Sequence, residues 1–278
     1  MLVPKKKQTV LIIPVSFWGV KGRCKLPLHP TIYDVCSMLK SKISLYITAF
    51  VSVAVVVSAA VGLYYAIRAS AEEKQPVLEA SGAYRDHEYI DLGLSVLWST
   101  RNMGAQRIED YGDYYAWGEI RVKQDYRWQN YRWSSGRYDL HSKYVTDSRY
   151  GLVDSLTMLD SADDVAHRQW GGRWRLPTQT EIDELIQHCT WTWMSINDHF
   201  GYKVTSNING AEMFLPAAGY YNDTILHDLG EFGNYWTSSL YERYSYYAWQ
   251  LLFSPVRPIW FNGYRHCGMS IRPVYQRP

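Results

Sequence analysis

The chain has 278 residues, enough for one large domain or two small ones, and a formal net charge of +2. That near balance hides two unlike parts: nine of the 29 Lys and Arg lie before position 69 against a single acid, Asp34, which leaves 20 basic and 26 acidic residues, a net of −6, in 69–278. A phosphate backbone is bound by neutralising it with Lys and Arg, so an acidic domain excludes nucleic acid as a partner of the larger part.

Residues 1–42 read as a basic cytoplasmic tail, poorly ordered. Thr9 to Val20 is apolar but short, and Pro14 interrupts it. From Ile43 to Ile67 no residue is charged. As a helix this stretch is roughly 37 Å long, enough to cross a ~30 Å hydrocarbon core with some tilt. Tyr46, Tyr64 and Tyr65 near its ends suit the membrane interface, and the Lys and Arg before it keep the N-terminal side cytoplasmic. The expectation is one transmembrane helix at 43–67. Its rival is a cleaved signal peptide, with translation from Met38, Lys40 and Lys42 as the basic start and Ala69-Ser-Ala71 as the cleavage site. The length of the apolar run and Arg68 just before the small residues oppose cleavage. Both readings put the following domain outside the cytoplasm, periplasmic or extracellular. Residues 68–83 read as a polar linker and 84–278 as that domain.

The domain holds 11 of the 12 Trp and 20 of the 24 Tyr. Such rings bring large apolar area with one polar handle, which suits a β-rich core first and stacking platforms second. A first helix is expected from Asp160-Ser161 to Trp170, ended by Gly171-Gly172. A second opens on the capping box Thr178-Gln-Thr-Glu181, with Ile182, Leu185, Ile186 and Cys189 as its apolar stripe. Tyr202–Ser206 and Glu212–Pro216 flank Asn209-Gly210, a hairpin signal. Further strands are expected at Ile90–Asp91, Val96–Ser99, Thr190–Met194, Tyr235–Ser238, Ala248–Phe253, Ile259–Phe261 and Ser270–Tyr275. No internal repeat is present. Two helices early and antiparallel strands late make the fold class α+β.

Cys24 and Cys36 fall in the tail and stay reduced there. Cys189 and Cys267 are the two cysteines of the exported part. In an oxidising compartment they suit a disulfide, and two buried thiols fit the same spacing equally well.

Six segments together resemble the Fibrobacter succinogenes major paralogous domain. They are Glu88–Trp98 (EYIDLGLSVLW), Asp110–Glu119 (DYGDYYAWGE), Trp170–Thr178 (WGGRWRLPT), Phe214–Gly219 (FLPAAG), Tyr235–Ser239 (YWTSS) and Ser270–Val274 (SIRPV). The resemblance covers about residues 85–275. It implies a bacterial cell-envelope protein with a C-type-lectin-like domain: two helices beside a twisted antiparallel sheet, with long loops. Related folds include adhesins, hypervariable ligand-binding proteins and formylglycine-generating sulfatase modifiers. Arg101 stands where many members have Cys, which detaches this chain from any disulfide scheme of the family.

Catalytic signals are thin. The eight His are scattered, without the paired spacing of a metal site, and no metal or other cofactor is expected. Asp160, Asp163 and Asp164 read as acids at a helix start, with calcium binding as the minor alternative. Asp110 and Asp113 read as a structural turn or, less simply, a carboxylate pair for a cation or sugar. Trp170 to Pro177 reads as packing. The binding candidate is the late stretch, where Tyr241, Arg243, Tyr244, Trp260, Asn262, Tyr264 and Arg265 combine flat rings with hydrogen-bonding heads. The resulting expectation is a membrane-anchored, non-catalytic, adhesin-like binding module for an extracellular glycan or protein. The alternatives are a structural envelope or assembly component and an enzyme of the formylglycine-generating type. That enzyme would need Cys189 and Cys267 to converge.

Overall fold

The computed structural model describes residues 56–63 and 80–278. The basic tail 1–42, most of the span 43–67, the Ala69-Ser-Ala71 site and most of the linker 68–83 lie outside the described residues. The chain divides into two units, Met1–Lys74 and Gln75–Pro278. In the first, residues 56–63 form an exposed helix, α1. Among the described residues no helix is long and apolar enough to cross a membrane.

The second unit is a sheet-rich α+β domain in which every paired strand runs antiparallel to its neighbours. Strands β1 (Gly82–Tyr84), β2 (His87–Ile90), β3 (Val96–Ser99) and β4 (Trp174–Arg175) belong to one sheet, completed by β13 (Val274–Gln276) between β3 and β4. The end of the domain is thereby stitched to its beginning, Val274 opposite Trp98. Strands β5 (Cys189–Ile196), β6 (His199–Ser206) and β7 (Glu212–Pro216) form a meander, and β8 (Tyr220–Asn222) and β9 (Ile225–His227) a small hairpin. The last sheet is β10 (Gly233–Leu240), β11 (Tyr247–Phe253) and β12 (Pro258–Tyr264), with β12 at its edge.

The helices follow their caps. Helix α2 (Val165–Trp170) starts five residues later than expected because Asp164 is its N-cap, its side chain accepting from the His167 amide. Asp160 to Asp163 make a turn instead. Helix α3 (Gln179–His188) has the full capping box: Thr178 accepts from the Glu181 amide, and Glu181 reaches back to the Thr178 amide. Ile182 and Leu185 are buried and Ile186 packs against the same cluster. Cys189 does not extend this stripe, because the backbone turns extended there and opens β5.

Two apolar clusters flank β10 and β11. Tyr235, Leu251 and Phe253 point into one, with Leu185, Trp98 and Tyr202. Trp236, Leu240 and Ala248 point into the other, with Trp117, Tyr144 and Met269. Strand β10 is therefore buried on both faces, which is why its sequence does not alternate cleanly. Residues 100–160 carry little regular structure. Their rings are tied in by polar ends: Trp117 Nε1 donates to the Thr237 carbonyl at 2.8 Å and Trp236 Nε1 to the Tyr115 carbonyl at 2.9 Å. Buried Arg272 joins three segments, donating to Asn102 Oδ1, the Ser99 carbonyl and the Phe214 carbonyl at 2.8–3.0 Å. Burial pulls its pKa down to about 10.

Candidate ligand-binding groove

Side chains alternate across a strand, so the register of β10, β11 and β12 assigns each residue to a face. Trp236 lies opposite Gln250 and Gln250 opposite Phe261, while Asn234 lies opposite Leu252. On that face opens a groove of about 380 Å³. Asn234, Gln250, Gly263 and Met269 line it, with Leu252 and Phe261 from the sheet on one side. Tyr220 of β8, together with Asp228 and Phe232 from the loop after β9, supplies the other. A volume of this size lies within the range of small-molecule sites, about 300–1,000 Å³.

The groove is mostly apolar, and two buried carboxamides in its lining carry unpaired atoms. Asn234 and Gln250 are 4% and 5% exposed. Gln250 Nε2 donates to the Asn262 carbonyl at 3.3 Å, which sets the orientation of the carboxamide and leaves Oε1 without a partner. Asn234 Nδ2 is likewise buried and unpaired. One unpaired donor and one unpaired acceptor therefore belong to two buried residues that line the same groove. Gly263 lets the Gln250 side chain pack close: a Cβ there would lie 2.9 Å from Gln250 Nε2 and 2.7 Å from the Met269 methyl. Cys267 also lines the groove, but burial pushes its thiol up to about 12, so it is no nucleophile at neutral pH.

The late aromatic stretch largely comes together. Trp260 and Tyr264 are 48% and 44% exposed. Trp260 packs edge-on against Trp249 at 4.8 Å, and Trp249 against Tyr241 at 4.7 Å. Tyr241 in turn lies 6.1 Å from both Tyr244 and Tyr247, and Tyr247 lies 4.7 Å from Tyr264. One chain of rings thus joins Tyr241, Tyr244, Trp260 and Tyr264 through Tyr247 and Trp249, neither of which the sequence singled out. Arg243 lies 5.4 Å over the Tyr244 ring. Asn262 sits on β12 between Trp260 and Tyr264, and both Asn262 and Tyr264 also line the groove.

Arg265 does not belong to this surface. It is fully buried, and its guanidinium donates to the Tyr131 hydroxyl and to the carbonyls of Lys143, Tyr144 and Ser245. With four of its five N–H donors engaged inside and no exposed surface, it is out of a ligand's reach. The cysteine expectation resolves equally clearly: Cys189 and Cys267 are free buried thiols, in separate apolar clusters. They form neither a disulfide nor a reactive pair, and burial raises Cys189 to about 11.

The acidic candidates are satisfied by protein groups. Lys143 Nζ lies 2.7 Å from Asp163 and also pairs with Asp160, so an ammonium fills the place a cation would take. Asp110 accepts from the Gln106 and Arg107 amides and pairs with the Arg107 side chain, which makes it a turn former. Among the described residues no group of three or more His, Cys, Asp and Glu is placed to hold a metal ion. Trp174 is buried and Arg175 pairs with Glu181, so Trp170 to Pro177 is packing and capping.

Asn234, Gln250, Gly263, Phe261 and Tyr220 were not legible as site residues. Asn234 and Gln250 carry no motif, and what marks them is one unpaired carboxamide atom on each. Comparison of the chain with protein-family models, with curated proteins and with solved structures finds no match.

Proposed function

We propose that this chain is a membrane-anchored, non-catalytic binding module that presents a C-type-lectin-like domain to a glycan or protein ligand outside the cytoplasm. The observation that carries the reading is the groove of β10–β12, with unpaired Asn234 Nδ2 and Gln250 Oε1 beneath aromatic walls. A buried polar atom without a partner costs about 1–3 kcal/mol, and two in one groove point to a partner that arrives from outside. The anchor rests on the uncharged stretch 43–67 and its basic flank. The resemblance to the major paralogous domain rests on residues that are scaffold here: Trp98, Trp117, Trp174, Phe214, Trp236 and Arg272 are all buried. The groove residues Gln250, Phe261 and Gly263 fall outside those shared segments, as expected where one scaffold serves different ligands.

A second reading, an envelope assembly component without a small ligand, is favoured by the open edge of β12. Its Trp260 and Phe261 are 48% and 49% exposed, and an edge strand of this kind is a template for strand pairing.

Two measurements test the proposal. A glycan and peptide array probed with the purified full chain should give binding that Phe261→Ala, at the groove wall, weakens. Binding untouched by that change would move the contact to the β12 edge. External protease on spheroplasts should digest the domain and spare the tail; a protected domain would overturn the topology.

A further inference from the structure

We infer that the β10–β12 groove recognises an N-acylated amino sugar, with the ligand's secondary amide completing Asn234 and Gln250. This rests on the reading of the groove as a binding site and narrows its ligand. A secondary amide has one acceptor and one donor. Its carbonyl matches Asn234 Nδ2 and its N–H matches Gln250 Oε1, the two unpaired atoms of the lining. The assignment of donor and acceptor at Gln250 is not free, because Nε2 is already engaged with the Asn262 carbonyl.

Asn234 and Gln250 stand on adjacent strands of one face, diagonal across the Trp236–Gln250 and Asn234–Leu252 pairs. Diagonal neighbours lie about 7–8 Å apart between backbones, a span that two carboxamide side chains close around one planar amide. Met269 and Leu252 offer an apolar seat for the acyl methyl. Half-exposed Phe261 offers a face for the C–H side of a pyranose, and exposed Asp228 accepts from ring hydroxyls.

A peptide is the weaker match. A bound strand brings a run of amides, and its natural reader is the open backbone edge of β12 rather than two side-chain amides on the inner face. One donor beside one acceptor suits a ligand with a single isolated amide among hydroxyls and C–H faces. An amide-reading site also rejects analogues lacking the amide, because its polar atoms then stay unpaired.

The test is calorimetric titration of the purified full chain with N,N′-diacetylchitobiose, the unacetylated glucosamine disaccharide, cellobiose, and a peptide bearing acetyl-lysine. Diacetylchitobiose should bind at least about tenfold tighter than the other two sugars, the difference expected for a matched amide. Asn234→Asp replaces the donor by an acceptor at constant shape and should erase that preference, with a melting curve showing the variant folded. Should it fail to fold, Gln250→Met gives the same readout. Equal binding of all three sugars would overturn the amide inference and leave the binding module standing. Preference for the acetyl-lysine peptide would overturn the sugar assignment. Binding of none of the four would remove both the inference and the groove as a site.

Discussion

Arg265 donates through Nε to the Tyr131 hydroxyl at 2.9 Å, and that hydroxyl donates onward to the Trp117 carbonyl at 2.8 Å. The guanidinium lies 4.9 Å over the Trp117 ring. The cation is thus held by carbonyls, a phenol and aromatic faces, and it ties the end of β12 to the irregular segment 131–145. Arg265→Ala should destabilise by more than about 3 kcal/mol, since it leaves three carbonyls and a phenol without a donor. Lys has no fork to replace these bonds, so Arg265→Lys should recover little. Chemical denaturation of the three proteins measures this. Two unchanged midpoints would mean the network contributes nothing.

Leu185 is fully buried between α3 and the β10–β11 sheet. Leu185→Ala should cost about 2–5 kcal/mol through lost transfer energy and a residual cavity. Exposed Ile208, at 58%, is the control. Its truncation should stay within about 0.5 kcal/mol. Equal shifts at the two positions would remove the helix stripe from the core.

Burial depresses His141 and His266 to about 4, with Arg265 adding to the effect at His141. Both are neutral in the folded protein at pH 7, and unfolded His titrates near 6.5. As pH falls, the unfolded chain takes up these protons first. The stability they carry is complete above about 6.5 and is lost progressively down to about 4, by at most ~3 kcal/mol each. Thermal midpoints from pH 7 to 4.5 should fall, and His266→Gln should flatten that limb. A limb of identical slope in the variant would place the proton uptake elsewhere.

Trp260 and Tyr264 stand about half exposed, Trp260 against Trp249 and Tyr264 against Tyr247. Trp260→Ala should leave the melting midpoint within about 3 °C, whereas Trp236→Ala, from the core, should cost about 3–5 kcal/mol. If a ligand uses the ring surface, Trp260→Ala also weakens it by more than ~1 kcal/mol. A large stability loss at Trp260 would count it as structure.

What the chain discloses before folding follows the range of the interaction. Thr178 caps α3, and Val96–Ser99 and Glu212–Pro216 coincide with β3 and β7, because caps and short apolar runs are local signals. The start of α2 is hard to read in the sequence because three acids compete for one cap, and only Asp164 accepts from the His167 amide. Arg265 departs from the exposed run because period-two alternation sets it on the opposite side from Trp260, Asn262 and Tyr264, and that parity is the signal the sequence carries. Asn234 and Gln250 left no trace, since an unpaired amide is defined by what stands opposite it in space. Residues 100–160 resisted for a related reason. Their order comes from Trp and Tyr polar ends bonding carbonyls more than a hundred residues away, as Trp117 does with Thr237.

Because Cys189 and Cys267 stand apart and protonated, residues 80–278 fold without a covalent cross-link. The domain is thereby indifferent to redox poise. No oxidase or disulfide isomerase need act on it, and reductants leave its architecture intact. Mild oxidants find no thiolate to attack, because the reactive species is scarce and sealed in apolar packing. Residues 80–278 should reach the same structure in a reducing as in an oxidising compartment.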